Sequence, residues 1–176
     1  MPDAQKEIER KYLIFRPDPS YLNMQEGAKR YEIEQIYLHS DKKVSRRIRQ
    51  KTDGTHTVCT YTEKVRISPL VRLEDERTVT KEAYARLREQ ADPACEVLHK
   101  VRYVIPHEGR QCEIDLFPFW EKQAILEIEC ESEEAAAHLT LPAFVRLIRD
   151  VTDEPDYTSH SLAHPSCRAR RETEAG

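Results

Sequence analysis

Read two residues at a time, several stretches of this chain carry their charges in rows. Glu7, Glu9 and Lys11 form one row, as do Arg47 with Arg49, Arg72 with Glu74 and Glu76, Lys100 with Arg102, Glu113 with Asp115, and Glu127 with Glu129 and Glu131. Lys64 ends a further row that begins with Thr60 and Thr62. Residues at this spacing share one face of a β-strand. Clustered carboxylates are hard oxygen ligands of the kind Mg²⁺ or Mn²⁺ prefers. Arg and Lys supply directional and point-charge contacts to phosphate oxygens. The two sets together suit a metal that polarises a phosphoryl group and positions a water.

The plain reading of alternating charge is the solvent face of a half-buried antiparallel strand. Against it, the signs are mixed in tight groups, and the opposite faces are apolar: Ile8 and Tyr12, Ile48, Leu73, Val101 and Tyr103, Ile114, Leu126 and Ile128. Two expected helices are too few to cover that much apolar sheet. About eight strands closed into a barrel with the charged face inward would leave a lumen for one small ligand. In that interior seven bases (Lys11, Arg47, Arg49, Lys64, Arg72, Lys100, Arg102) face nine acids (Glu7, Glu9, Glu74, Glu76, Glu113, Asp115, Glu127, Glu129, Glu131), a net of −2. A polyanion then needs roughly two divalent cations beside it.

The elements that must position these rows follow from periodicity. Eight strands are expected: Glu7 to Phe15, Glu34 to His39, Val44 to Gln50, Thr55 to Arg66, Val71 to Val79, Glu96 to Ile105, Gln111 to Phe117 and Ala124 to Glu131. Asp53-Gly54 and Glu108-Gly109 are hairpin signals. A helix is expected from Lys81 to Ala91, capped by Thr80, with Tyr84, Leu87 and Ala91 inward. Ser132-Glu133-Glu134 reads as a second helix start, and Pro142 followed by Phe144, Val145, Leu147 and Ile148 as further helix. After Pro165 no apolar period remains, so 165–176 is expected as a mobile tail behind one domain spanning 1–164.

Bulk properties narrow the class. A length of 176 residues suits one domain. Basic and acidic totals of 28 and 32 nearly cancel, which argues against general nucleic-acid binding. No apolar run approaches the roughly 20 residues of a membrane span and the N-terminus lacks a signal-peptide core, so a cytoplasmic protein is expected. The five cysteines (Cys59, Cys95, Cys112, Cys130, Cys167) are odd in number and contain no Cys-x-x-Cys pair. They suggest neither a disulfide framework nor a structural zinc site. His39, His56, His99, His107, His138 and His164 show no metal-ligand spacing.

Glu7-Ile8-Glu9-Arg10-Lys11 resembles the Glu-x-Glu-x-Lys motif of CYTH proteins, the triphosphate tunnel metalloenzymes. The resemblance continues in order through Gln35-Ile36-Tyr37-Leu38, Arg47-Ile48-Arg49, Thr62-Glu63-Lys64, Arg72 with Glu74 and Glu76, Lys100-Val101-Arg102-Tyr103, Glu113-Ile114-Asp115 and Leu126-Glu127-Ile128-Glu129. It implies an α+β, mainly β fold: a closed eight-stranded antiparallel β-barrel, the triphosphate tunnel, with a few peripheral helices. Glu7, Glu9, Glu127 and Glu129, with Asp115 as a further participant, are implied as metal-binding acids for two Mg²⁺ or Mn²⁺ ions. Lys11, Arg47, Arg49, Lys64, Arg72, Lys100 and Arg102 are implied as the phosphate-binding set, with Glu7, Glu9, Lys11 and Glu129 closest to catalysis.

Tyr37, Glu74, Glu76, Glu113 and His160 are supporting candidates. Glu74 and Glu76 either orient bases, help a second metal or form interior salt bridges. The stretch from Tyr157 to Ala163 resembles the segment that closes one end of the tunnel, with His160 read as a plug residue. Family members act on several triphosphates, and no pocket for a base is evident, so inorganic tripolyphosphate is the first expectation. Adenylyl cyclase, thiamine triphosphatase and a non-catalytic polyphosphate-binding module are the alternatives. The apolar outer face is compatible with a homodimer.

Overall fold

The computed structural model describes residues 4–41 and 43–172. Its charge rows lie on strands β1 (Gln5–Phe15), β2 (Lys29–Leu38), β3 (Ser45–Thr52), β4 (Thr57–Arg66), β5 (Val71–Val79), β6 (Leu98–His107), β7 (Arg110–Leu116) and β8 (Gln123–Glu129). Neighbours run β5-β4-β3-β2-β6-β7-β8-β1, and β1 pairs back onto β5, which closes an antiparallel barrel of eight strands. The β6–β7 hairpin turns on Glu108 and Gly109, whose φ values of 48° and 74° are both positive, as a type I′ turn requires. In the β3–β4 connection Asp53 Oδ1 accepts from the backbone N–H groups of Thr55 and His56, each at 2.8 Å.

A ninth strand, β9 (Leu147–Asp150), stands where helix is expected from Pro142 onward. The reason lies in β1. Its edge is paired with β5 only over Gln5 to Ile8, and β9 takes up the same strand at Tyr12 to Ile14. Between them Val151 N–H donates to Lys11 O at 3.0 Å, and Lys11 N–H donates to Thr152 Oγ1 at 3.0 Å. An unpaired strand edge inside a fold costs more than the weak helical preference of 142–148 returns.

Helices α1 (Pro19–Asn23), α2 (Lys81–Arg88), α3 (Glu133–Ala137) and α4 (Ser159–Ala163) are short. The caps at Thr80 and Ser132 form as expected, accepting from Ala83 N–H and Ala135 N–H. Helix α2 ends at Arg88, about one turn before the expected Ala91. None of the described helices is long and apolar enough to cross a membrane.

The apolar outer faces are covered by the chain itself. Leu22 of α1 and the segment carrying Leu139, Leu141, Phe144 and Val145 pack on Tyr12, Ile14, Tyr103, Ile114, Leu126 and Ile128. Tyr84 and Leu87 of α2 cover Ile36, Leu38 and Ile48, while Ala136 of α3 sits on Ile8 and Val71. Among the described residues the large apolar side chains left exposed are Tyr21, Met24, Val58, Ile67, Val97 and Leu147.

Inside the barrel the character changes along each strand. On β1 the inward row runs Glu7, Glu9, Lys11 and then Leu13; on β6 it runs Arg102, Lys100 and then Leu98. At the apolar end Leu13, Leu98, Phe117, Trp120 and Ile125 pack with Tyr157, Leu162 and Ala163. The C-terminal segment thus fills one mouth of the barrel. Residues 165–172 belong to this plug rather than to the mobile tail expected after Pro165: Ala169 is buried, and Trp120 Nε1 donates to Arg170 O at 3.1 Å. Residues 173–176 lie outside the described residues.

Leu13 is fully buried in this plug core. Leu13→Ala should cost about 2–5 kcal/mol, the range for deleting a buried leucine side chain. A lower denaturant midpoint at unchanged m-value is the expected result, checked by equilibrium unfolding.

Candidate active site

The part of the barrel left unfilled is a cavity of about 390 Å³. One wall is basic: Arg47, Arg49 and Lys51 from β3, Lys64 and Arg66 from β4, and Arg72 from β5. The strand order sets it across from an acidic wall made by Glu113 of β7, Glu127 and Glu129 of β8, and Glu7 and Glu9 of β1. Lys11, Lys100 and Arg102 lie deeper, and Tyr37, Thr158, Ser159 and His160 complete the lining at the plugged end.

Ion pairs stitch these groups together. Lys64 Nζ lies 2.7 Å from Glu7 Oε2 and 2.5 Å from Glu74 Oε2. Arg72 Nη1 is 3.6 Å from Glu9 Oε1, and Arg47 Nη2 is 3.9 Å from Glu74 Oε2. Lys11 Nζ sits 3.0 Å from Glu127 Oε1 and 3.7 Å from Glu9 Oε1. Arg102 donates from Nε to Asp115 Oδ1 at 2.6 Å and from Nη2 to Glu127 Oε2 at 2.9 Å, and it also pairs with Glu113. Arg49 Nη2 donates to Glu76 Oε2 at 3.0 Å.

Some groups are left over. Arg47 Nε and Arg72 Nη1 are buried without a hydrogen-bond partner among the described residues, which leaves N–H groups for an anion. Glu129 makes no ion pair among the described residues. It stands directly across from Glu9 in the β1–β8 register. Like charges in that relation repel.

Burial, and then the Glu127 charge, raise the Glu9 carboxyl above its ordinary range. Burial followed by Glu7 and Glu113 does the same to Glu129. Both therefore hold negative charge that the protein does not fully compensate, on hard oxygen donors that suit a divalent cation. The basic side shows the converse strain: burial, then Arg47, lower Lys64, and the same two causes bring Arg49 to about 10.

Two sequence expectations change here. Asp115, expected as a possible metal ligand, is 1% exposed and does not line the cavity. Its Oδ2 accepts from Lys100 Nζ at 2.6 Å, and Arg102 takes both of its oxygens. Burial opposes its ionisation, but Arg102 and Lys100 outweigh that and hold its carboxyl low, so Asp115 positions bases instead. Glu127 is likewise committed, one oxygen to Lys11 and the other to Arg102.

The second change is the charge count. Lys51 and Arg66 also line the cavity, whereas Glu76, Asp115 and Glu131 do not. Nine bases against six acids leave a net of +3 rather than −2. Lys51 was missed because β3 was expected to end at Gln50. It continues to Thr52, so the row Arg47, Arg49 gains a third member. Arg66 extends the Lys64 row too; it lies inside the expected strand, which ends where β4 ends, but was not counted in the row. Tyr31 also faces the cavity, with Lys51 Nζ 4.7 Å from its ring centroid.

Of the supporting candidates, Glu74 and Glu113 line the cavity and Glu76 holds Arg49 and Thr62. Tyr37 accepts from Gln35 Nε2 at 2.6 Å, and its ring centroid lies 4.6 Å from that of His160. One grouping had no place in the sequence reading. Among the described residues, the trio whose metal-ligating atoms all fall within 4.8 Å of one another is Cys95, His160 and His164.

A closed antiparallel barrel of eight strands, lined by facing basic and acidic rows and plugged at one end, has the fold of the triphosphate tunnel, or CYTH, family. Among solved structures the chain is similar to the inorganic triphosphatase NE1496, at 25% identity and a TM-score of 0.56 over 89% of this chain and 97% of that one. It shares the fold of the PH1819 protein from Pyrococcus horikoshii OT3, at 20% identity and a TM-score of 0.55 over 75% and 82% of the two chains. A conserved hypothetical protein from Pyrococcus furiosus shares it too, at 18% identity and a TM-score of 0.57 over 75% and 84%. No protein-family model and no curated protein matches the sequence.

Asp115→Asn should leave Lys100 and Arg102 short of a buried counter-charge and cost about 3–5 kcal/mol. Because the native carboxyl is held low, the stability it contributes is present above the unfolded-state value and lost as pH falls through the folded one. The loss should therefore appear at neutral pH, in the presence of chelator, by thermal unfolding. An unchanged Tm in chelator would contradict the positioning role.

Proposed function

We propose that this protein is a divalent-metal-dependent triphosphatase that cleaves inorganic tripolyphosphate to pyrophosphate and phosphate. The observation that carries the reading is the cavity itself: a net positive, one-ended chamber whose bases face a partly uncompensated acidic wall. The likeness to an inorganic triphosphatase over nearly the full length of both chains supports the same activity.

Arg47, Arg49, Lys64 and Arg72 hold the phosphate oxygens along one wall, with the free N–H groups of Arg47 and Arg72 as ready donors. Lys11 and Arg102 enter the site already oriented by Glu127 and Asp115, so little reorganisation accompanies charge build-up on the leaving phosphate. Glu7, Glu9 and Glu129 would hold the metal, Mg²⁺ or Mn²⁺, with two ions when substrate is bound. A divalent ion held there would supply Lewis-acid polarisation of the terminal phosphoryl group and a site for the attacking water. The plug around Tyr157 and Leu162 closes one end and leaves water to enter from the other.

The aromatic rings that face the cavity are already engaged, Tyr31 with Lys51 and Tyr37 with His160. That favours a substrate recognised through phosphate alone over ATP or thiamine triphosphate. Release of phosphate from the three compounds should be fastest with tripolyphosphate and should stop with chelator. Cyclic AMP from ATP would move the assignment to a cyclase, and tight binding without turnover would move it to a binding module.

Glu9→Gln should lower metal-dependent turnover by about 100-fold or more, the scale of losing transition-state charge stabilisation. Its effect on the metal-free fold should have the opposite sign. A carboxyl raised by burial destabilises the fold as pH rises through its folded value, so Gln at this position should raise Tm in chelator at neutral pH. Near-normal turnover in this variant would overturn the metal assignment.

A further inference from the structure

The plug carries a second constellation that the proposed reaction does not use. His160 stands in the first turn of α4 and His164 follows its last residue as the C-cap. Their ring centroids are separated by 5.2 Å. Cys95, in the connection between α2 and β6, brings its Sγ to 3.5 Å from His164 Nε2. All three ligating atoms lie within 4.8 Å of one another. We propose that Cys95, His160 and His164 form a binding site for a zinc-class ion that fastens the C-terminal plug to the barrel.

The Cys95–His164 distance suits the metal, and His160 lies close enough to complete the set by a small side-chain movement. Tetrahedral zinc with Zn–S of about 2.3 Å and Zn–N of about 2.0–2.1 Å sets sulfur and nitrogen about 3.5 Å apart. The observed Cys95–His164 separation already has that value. The donor set also discriminates: one thiolate and two imidazoles favour zinc over the magnesium-class ions suited to carboxylates. The Cys95 thiol gives its proton to solvent as the metal–sulfur bond forms, and solvent supplies the fourth ligand.

The scaffold holds the three groups near each other without the metal. Glu96 N–H donates to Ala163 O at 2.8 Å, which ties the connection to α4 next to the two imidazoles. Cys95 N–H donates to Asp92 O at 3.0 Å, and His164 N–H to Ser161 O at 3.0 Å. His160 also lines the tunnel cavity and packs against Tyr37. An ion here therefore fixes the closed end of the chamber from outside the acidic wall.

The test uses the full chain stripped of metal and titrated with Zn²⁺ and, separately, Co²⁺. One equivalent of zinc should bind and raise Tm, and cobalt should give tetrahedral visible bands with a thiolate-to-metal charge-transfer band. Cys95→Ser and His164→Ala should each weaken zinc binding by more than about 100-fold, beyond the 10- to 100-fold carried by outer partners of a ligand. Their Tm in chelator and their Mg²⁺-dependent turnover should stay unchanged, so failure of this site is separable from failure of the triphosphatase reading.

Zinc binding that survives both substitutions would place the ion on the acidic wall and overturn the proposal. Absence of one-equivalent binding would leave a thiol–imidazole hydrogen bond only, and would overturn it as well. If a variant does not fold, the charge-transfer band of the unmodified protein decides, because the acidic wall has no sulfur to produce it.

Discussion

Lys11, Lys100, Arg102, Asp115 and Glu127 are each more than nine-tenths buried, and charges in such a place persist only when paired. The rest of the molecule is arranged around that requirement. Asp115 gives its oxygens to Lys100 and Arg102, while Glu127 gives one to Arg102 and the other to Lys11. This network is the floor of the cavity, and it fixes the directions of the bases before any ligand arrives. Above it the pairing is uneven: Lys64 is held closely by Glu7 and Glu74, whereas Glu9 is 3.6 Å from Arg72 and Glu129 has no ionic partner among the described residues. The carboxylates left loosely paired, Glu9 and Glu129, are the ones with capacity left to bind.

Closing the barrel is what brings those charges together. Strand β1 carries Glu7, Glu9 and Lys11, and it meets β8 on one edge and β5 and then β9 on the other. The switch of partner falls around Lys11, where the inward row changes from charged to apolar. Beyond that point Leu13 meets Trp120, Tyr157 and Leu162, so one end becomes an ordinary hydrophobic core and the other stays open to ions. The plug thus stabilises the barrel by apolar burial and sets the depth of the cavity. The site and its closure are two halves of one interior.

Local signals account for much of what could be read from the chain. Alternation located eight strands, with four ends exact and the others displaced by up to five residues, because a strand end depends on whether a neighbour is there to pair with. The end of β3 shows the consequence: placing it at Gln50 hid Lys51, and placing it at Thr52 reveals it. The Thr80 and Ser132 caps were legible because a cap is a matter of three or four adjacent residues. Strand β9 was not, since its sequence reads as helix and only the unpaired edge of β1, more than a hundred residues away, makes it a strand. The i, i+4 spacing of His160 and His164 was present in the sequence, but Cys95 joins them only through folding.

By itself the sequence determined that charge alternates with apolar residues on eight strands, and hence that one face of the sheet is ionic and the other is not. It also carried the order of motifs that resembles the triphosphate tunnel proteins. Tertiary structure alone decided which acids face the cavity and which are consumed in holding bases. Asp115 illustrates this: its sequence row matches that of the cavity acids, but its two oxygens are taken by Lys100 and Arg102 below the lining. It also set the balance of the cavity lining, where Lys51 and Arg66 join the bases while Glu76, Asp115 and Glu131 are not among the lining acids. The physical reason is that side-chain type is local, whereas the desolvation and pairing that set its role are imposed by strands distant in sequence and adjacent in space.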